Sequence, residues 1–519
     1  MNRETMLSRI RTPKEQWDFI IIGGGATGIG IAIDAVTRGY RTLLLEQSDF
    51  GKATSSRSTK LIHGGVRYLQ QGNLPLVYEA LKERKLLLEN APHLVHTIAF
   101  AVPGYDWWES PYYGTGLKLY DLMAGQTKTA RSKWISGKEL ADLIPTIEKE
   151  GLKGGVLYYD GQFDDSRLII NMVQTASDYG ATLINYMSVK ALLKNRSNTL
   201  CGVLAHDEET AEQYELYSKA VINATGIFSD LIRRMDHKGA PQTISPSQGI
   251  HIVLDKSFLP GKAALLIPNT DDKRMIFAIP WKEHTLIGTT DTPIEEISLE
   301  PKPRTEEIDF LLEHISRYLK KKPKVKDILS VFAGIRPLIG SIDKASTARV
   351  SRDYKIDISE SLLISVAGGK WTTYRKMAEE TLERAIAALG LKHLKSVSRN
   401  LHIHGYSTKA SLYGTLKDYG SDALLLENLI KENAELSKPI YQSSEILKGE
   451  VVWAVRNEMA RKVEDFISRR RRTLFLDARL SRLMAPEVAR IMASELKVND
   501  SWINQQIASF NKLSENYLP

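Results

Sequence analysis

Asp18-Phe19-Ile20-Ile21-Ile22-Gly23-Gly24-Gly25-Ala26-Thr27-Gly28-Ile29, running on through Gly39 to Thr42-Leu43-Leu44-Leu45-Glu46, decides the fold of this chain. The apolar run Phe19 to Ile22 reads as a buried strand, and Gly23, Gly25 and Gly28 follow it at G-x-G-x-x-G spacing. Gly23 permits the tight turn off the strand. Gly25 removes a Cβ that would keep main chain away from a pyrophosphate, and Gly28 lets the next helix lie close on the sheet. Ile29, Ala32, Ile33 and Val36 recur at helical period, Gly39 stands where a left-handed C-cap belongs, and Thr42 to Leu45 form a second strand. Glu46 ends it. A carboxylate there accepts both hydroxyls of an adenosine ribose and repels a 2′-phosphate, which favours FAD or NAD over NADP. The unit predicts a Rossmann-like domain with a dinucleotide pyrophosphate at a helix N-terminus.

The rest of the chain sets bounds on that reading. Its 519 residues suffice for two or three domains, and 43% hydrophobic with 25% charged residues is the composition of folded soluble protein. Cys201 is the single cysteine, so intrachain disulfides and thiolate metal clusters are excluded. The absence of C-x-x-C removes the disulfide-reductase flavoenzymes, and a reducing cytoplasm is compatible with this cysteine usage. Neither a secretion signal nor a run of about 18 apolar residues occurs, so the chain is expected not to cross a bilayer. Net charge is +8, from 70 basic and 62 acidic residues, densest at Lys320-Lys321-Lys322 with Lys324 and Lys326, and at Arg469-Arg470-Arg471-Arg472. Such blocks are expected first as solvated faces and second as contacts with an anionic membrane. Nucleic acid comes last, because no base-reading module accompanies them.

The segments alternate in a way that implies an interrupted domain. Residues 18–90 carry the nucleotide unit and a charged helix from about Val77 to Glu89. Strand signals return at Gly155-Val156-Leu157-Tyr158-Tyr159, a helix from about Ser166 to Tyr179 follows, and Ala220-Val221-Ile222 leads into Asn223-Ala224-Thr225-Gly226, with Ser229 expected to cap the next helix. A strand-rich stretch spans about 248–300, and after about 395 only helical spacing remains. The predicted architecture is α/β: a discontinuous Rossmann-like FAD-binding domain (1–90, 151–247 and 330–394), an inserted strand-rich substrate or cap domain (91–150 and 248–329), and an all-α C-terminal domain (395–519).

The stretch Thr54-Ser55-Ser56-Arg57-Ser58-Thr59-Lys60-Leu61-Ile62-His63-Gly64-Gly65-Val66-Arg67-Tyr68-Leu69 resembles the flavin-contacting segment of FAD-dependent (respiratory) glycerol-3-phosphate dehydrogenases. The resemblance continues at Asn223 to Gly226, Ile250-His251-Ile252-Val253, Ile279-Pro280-Trp281, Ile287-Gly288-Thr289-Thr290-Asp291, Gly334-Ile335-Arg336-Pro337-Leu338 and Gly368-Gly369-Lys370-Trp371-Thr372-Thr373-Tyr374-Arg375. It covers nearly the whole chain, and the helical tail matches that family's C-terminal domain in position. The resemblance implies oxidation of sn-glycerol 3-phosphate to dihydroxyacetone phosphate by hydride transfer from C2 to FAD N5, with electrons passed to a membrane quinone. It further implies peripheral attachment to the inner, cytoplasmic face of the cell membrane. A homodimer is a further expectation.

Residue chemistry assigns roles consistent with that reading. Ser55, Ser56, Thr59 and Lys60 offer hydroxyl and ammonium donors where the pyrophosphate and ribityl chain would lie, and Gly64-Gly65 allow main chain against a flat ring. The small residues Ala224, Thr225 and Gly226 let a strand end abut the cofactor. Gly369, Lys370 and Thr372 open a helix whose N-terminus would favour negative charge at flavin N1 and O2. Arg67, Arg336 and Lys370, with the Tyr68 phenol, are the candidate phosphate pocket, because guanidinium forks suit a phosphate and Pro337 restricts Arg336 to extended geometry.

Alcohol oxidation also needs a proton acceptor, for which His251 and His63 are the candidates; an alkoxide stabilised by Arg336 is the alternative. No metal is expected, since neither His93 with His96 nor His402 with His404 has an acid or thiol cluster nearby in sequence. Tyr105, Trp107, Trp108, Tyr112 and Tyr113 read as lid packing or as an interfacial patch. Two other activities fit the same pattern: a glycerol-3-phosphate oxidase using O2, which in this family carries an inserted segment absent here, and an amine or amino-acid oxidase, which would need one carboxylate clamp instead of three cations. A non-catalytic lipid- or nucleic-acid-binding flavoprotein is the reading furthest from catalysis.

Overall fold

The computed structural model describes residues 1–11, 16–64, 74–105, 120, 123, 131–268, 270–271, 274–340 and 354–519. The first apolar run forms the strand Trp17–Ile22, flanked in parallel by Thr42–Leu45 and Gln213–Asn223. Strands with helices on both faces must be apolar on both sides, and Phe19, Ile20 and Ile21 are fully buried. Thr182–Ile184 and Leu363–Gly368 extend the sheet in parallel at either side, and Tyr354–Ile358 closes one edge antiparallel. Met187–Lys194 and Leu200–Asp207 complete its eight strands as a meander on the early part of Gln213–Asn223. Parallel strands end on a common edge, so Gly23, Glu46, Ala224 and Gly368 come together there although they are far apart in sequence.

A second sheet of ten strands holds Ile244–Asp255 antiparallel to Ile328–Ile339, and Gly154–Phe163 antiparallel to Val95–Gly104. Three segments expected in the nucleotide domain belong here: Leu61–Ile62, Gly154–Phe163 and Ile328–Ile339. Their apolar runs fit either sheet by composition. Pairing partner decides between them, and each of these strands pairs antiparallel, unlike the parallel core of the first sheet. The helix Gly137–Leu143 and the helix Thr305–Ser316 bury their apolar faces on this sheet beside Ile250, Ile252 and Ile287.

The C-terminal part is helical, with Ala423–Glu432, Lys448–Asn457, Ala478–Leu496 and Asp500–Ser514 as its main elements. Leu401 and Ile403 join the core of the first sheet, and the Ile403 N–H donates to Asn90 O at 3.0 Å. The core of the helical body takes in Val253, Leu286 and Phe332 of the second sheet. Among the described residues no helix is long and apolar enough to cross a membrane.

The two basic runs behave differently. Lys320, Lys321, Lys322, Lys324 and Lys326 are exposed as expected. Arg469, Arg470 and Arg472 instead are buried, which corrects the expectation of a solvated face or membrane contact for this run. Arg469 Nε and Arg470 Nη1 donate to Asp49 at 2.5 Å each, Arg469 Nη2 to Asp465 at 2.7 Å, and Arg472 Nη2 lies 3.3 Å from Asp165. The physical reason is charge compensation: acids from distant segments converge on the run. Removing one partner of such a buried pair costs about 3–5 kcal/mol.

A second junction links the helical body to the helix Asp165–Asp178. His404 Nδ1 lies 2.6 Å from Asp178 and its Nε2 2.8 Å from Asp422, an acid on each side of the ring. Burial opposes the imidazolium charge, but the two aspartates outweigh it and raise the group from 6.5 to about 9. A raised folded-state value means the contribution is full below about pH 6.5 and is lost as pH rises through about 9. His404→Gln is therefore expected to lower thermal stability near pH 6 by on the order of 2 kcal/mol, with the deficit shrinking above pH 9. Burial pushes Lys60 down from 10.5 to about 7, which acts in the opposite direction over that range, so the difference between variant and parent is the quantity to measure. A deficit independent of pH would remove the charge-based account.

Candidate active site

A cavity of about 470 Å³ lies between the carboxyl edge of the first sheet and one face of the second. Its floor is the glycine unit. Gly23 has φ +111° and bonds through its N–H to Leu45 O at 2.9 Å; at Gly28 a Cβ would sit 1.9 Å from Gly23 O. Gly28 thus packs helix on strand, as expected, while Gly23 and Gly25 line the cavity. Helix Ala26–Thr37 starts at Gly25 with no cap from that residue's side chain; the Ala26 N–H donates instead to Ser55 Oγ at 3.0 Å. Glu46 accepts the Gly24 N–H at 2.7 Å and the Ser48 N–H at 2.9 Å. Burial raises its carboxyl, with these two bonds opposing the shift. A Cβ-free turn, an open helix start and a carboxylate at the second strand's end fit the pyrophosphate and ribose of FAD.

The middle of the cavity is reached by Ala224, Thr225 and Gly226 from one strand end and by Gly369, Lys370 and Thr372 from another. Gly368 and Gly369 have φ +79° and +81°, and a Cβ on Gly369 would meet Met377 Sδ at 2.4 Å, so the turn into the helix Tyr374–Ala388 requires glycine. Trp371 Nε1 donates to Ser55 O at 2.8 Å and ties this turn to the loop after Glu46. Ser229 is the first residue of the helix Ser229–Asp236, not its cap, and its Oγ accepts from Asn223 Nδ2 at 3.2 Å.

The opposite wall follows from strand alternation. In Ile244–Asp255, Ser247, Gly249 and His251 share one face, and the paired strand sets Arg336, Gly334 and Phe332 directly across from them. His251 stacks on Phe332 with centroids 5.0 Å apart, and its Nε2 lies 3.0 Å from Thr59 Oγ1. Its Nδ1 has no hydrogen-bond partner among the described residues. Burial, then the charges of Lys60 and Arg336, hold its imidazolium well below 6.5, so the ring is neutral at neutral pH. Arg336 Nη2 donates to Thr289 Oγ1 at 2.8 Å and to Thr290 O at 3.0 Å, and Nη1 lies 3.3 Å from Asp291. These contacts fix the guanidinium plane while the side chain keeps 23% of its surface at the cavity. A Cβ on Gly249 would meet Arg336 Nη2 at 2.3 Å, which is why that strand position is glycine.

The cavity brings together Gly23, Gly25, Glu46, Ser55, Thr59, His63, Ala224, Thr225, Gly226, His251, Arg336, Gly369, Lys370 and Thr372. Four expected cofactor contacts are not among its lining residues: the packing glycine Gly28 already described, and Lys60, Ser56 and Gly64. Lys60 is fully buried behind the wall, with Nζ donating to Asp165 at 2.7 Å and to Ser56 O at 3.0 Å. Its left-handed backbone, φ +63°, turns the side chain away from its neighbours' direction. Ser56 is likewise buried, and Gly64 donates its N–H to Tyr120 Oη at 2.9 Å, with Leu81 leaving no room for a Cβ. Gly65, Arg67 and Tyr68 lie outside the described residues, as do Trp107, Trp108, Tyr112 and Tyr113. Sequence reasoning missed the cavity-lining Met187, Ser188, Phe228 and Met235, and gave no role of its own to Arg57, whose Nη1 donates to Ala333 O at 3.0 Å. The strand Met187–Lys194 carried no motif, and only its position after Glu46's neighbouring strand would have pointed to it.

The family described as FAD dependent oxidoreductase matches residues 18–375, and that described as C-terminal domain of alpha-glycerophosphate oxidase matches residues 359–502. The mitochondrial glycerol-3-phosphate dehydrogenase of Bos taurus is 38% identical, over 98% of this chain and 75% of its own length. That of Arabidopsis thaliana is also 38% identical, over 98% of this chain and 87% of its own. Among solved structures, the glycerol-3-phosphate dehydrogenase of Bacillus halodurans complexed with FAD superposes with a TM-score of 0.81 at 29% identity, covering 100% of this chain and 98% of that one.

Proposed function

Since the chain belongs to the FAD-dependent glycerol-3-phosphate dehydrogenases, we propose that its cavity oxidises sn-glycerol 3-phosphate to dihydroxyacetone phosphate and that the electrons pass to a membrane quinone. Bound FAD supplies a two-electron acceptor, at N5, for the hydride leaving substrate C2. The observation that carries the reading is the pairing of Arg336 and neutral His251 on one sheet face, opposite the glycine-lined cofactor wall.

Arg336 grips the phosphate, with Lys370 supplying a second positive charge from the cofactor side, and this anchoring holds C2 in a fixed orientation. His251 takes the C2 hydroxyl proton at a ring nitrogen. The Thr59 hydroxyl holds the other side of that ring, and the Phe332 stack fixes its plane. His63, also at the cavity wall, is the competing proton acceptor. Arg67 and Tyr68 are assigned to the same phosphate by the family's pattern.

The exposed lysines at 320–326 support peripheral attachment to the inner face of the cell membrane, where a quinone acceptor resides. Protein that stays in the supernatant with anionic vesicles at low salt would remove this part. The test of the reaction is an anaerobic titration of the FAD-loaded protein with glycerol 3-phosphate. Loss of the flavin absorbance at stoichiometric substrate is expected, followed by recovery on adding a soluble quinone. No bleaching would overturn the reading, and fast recovery with O2 and peroxide formation would replace the quinone with oxygen.

A further inference from the structure

The loop from Gln47 to Thr59 forms one wall of the cofactor cavity, and only a single short 3-10 turn, Thr54–Ser56, gives it regular structure. Its shape is set from behind by the helical body. Arg469 and Arg470 both donate to Asp49, and Lys52 Nζ lies 3.0 Å from Glu464. The Arg472 Nη2 donates to Ser56 O at 2.7 Å, and Glu300, which holds Arg57 at 2.6 Å, accepts the Tyr517 hydroxyl at 3.1 Å. Asp49, Ser56 and Arg57 are buried, so without these partners the loop would bury a carboxylate stripped of both its guanidinium partners, and the Ser56 carbonyl would keep only the Lys60 ammonium of its two donors. It would reshape toward water, and the cavity wall would move with it.

We propose that the helical body is part of the FAD-binding apparatus: Arg469, Arg470, Arg472, Glu464 and Tyr517 are positioning residues that hold residues 49–59 in the form that receives the dinucleotide, so that FAD binding and seating of the helical body are one coupled equilibrium. Coupling of this kind is reciprocal. FAD tightens the packing of segments it never touches, and loosening those segments weakens its binding.

Hydrogen exchange on the full chain, with FAD bound and after its removal, tests the first half. Residues 463–476 and 510–517 are absent from the cavity lining, and their amides are expected to exchange at least about tenfold faster in the apoprotein, which corresponds to the lower end of typical coupling energies. Equal exchange in the two forms would overturn the proposal. Arg470→Lys keeps the charge and loses the fork, and FAD titrated into this apoprotein, followed by flavin fluorescence, is expected to bind about tenfold more weakly. Tyr517→Phe deletes one hydroxyl with little risk to folding, and a two- to threefold weaker affinity is expected. A merely structural role would lower the melting temperature of both apoproteins and leave FAD affinity per folded molecule unchanged, and that outcome would also overturn the proposal.

Discussion

Replacing Arg336 by alanine is expected to lower kcat/KM for glycerol 3-phosphate by about 100-fold or more, from loss of a charge-assisted phosphate contact worth about 3 kcal/mol in a poorly solvated site. Part of the loss is indirect. Arg336 lies 3.3 Å from Asp291 and packs over Gly249, so alanine also removes one charged contact of that acid at the cavity wall. Arg336→Lys separates the two effects: a point charge restores the contact with Asp291 but not the two-point grip, so recovery is expected to be partial. Since the phosphate is remote from the reacting carbon, the lost binding energy should appear in both KM and the rate of flavin bleaching. Unchanged kinetics in both variants would remove Arg336 from the phosphate site.

His251→Asn is expected to slow anaerobic flavin reduction by about 100-fold or more, the usual range for loss of a general base, while the substrate concentration giving half-maximal rate changes little. Burial and two nearby cations already keep this imidazole neutral, so the unaltered protein should show no loss of rate from His251 as pH falls through 6.5. Thr59→Val tests the tautomer: with the Nε2 partner gone, a smaller fall in rate is expected at unchanged substrate binding. His63→Asn is the control. A larger loss there than in His251→Asn would transfer the base to His63.

The parts of this molecule legible in its sequence are those whose chemistry is local. The glycine unit, Glu46 and the turn at Gly368-Gly369 each need a backbone conformation or end-of-strand position that a few adjacent residues specify, and all line the cavity except Gly24 and the packing glycine Gly28. The face bearing Gly249 and His251 was readable for a similar reason, since alternation puts every second residue on one side. Lys60 misled because its neighbours Thr59 and Leu61 do reach the cavity; one left-handed residue sends its ammonium to Asp165 instead. The arginine run misled for the opposite reason. Glu458, Glu464 and Asp465 stand close before the run, but Asp49 and Asp165, which complete its burial, lie hundreds of positions away and give no local signal. Which sheet Gly154–Phe163 and Ile328–Ile339 join was not legible, because buried strands of both sheets share the same apolar character and only the pairing partner distinguishes them.

The pairing of Trp17–Ile22 with Gln213–Asn223 has a consequence for how the protein is made. The central strand of the nucleotide sheet gains Thr42–Leu45 on one side early but leaves the ribosome long before Gln213–Asn223, its other neighbour, exists, and the far strand Leu363–Gly368 arrives later still. A nascent chain shorter than this can build isolated helices but cannot finish the sheet edge, because closing so long a loop has to precede any contact that rewards it. Dinucleotide capture is thereby deferred until Leu363–Gly368 has been made, and until then the apolar strand Phe19 to Ile22 is an exposed edge able to pair with its copies on neighbouring ribosomes.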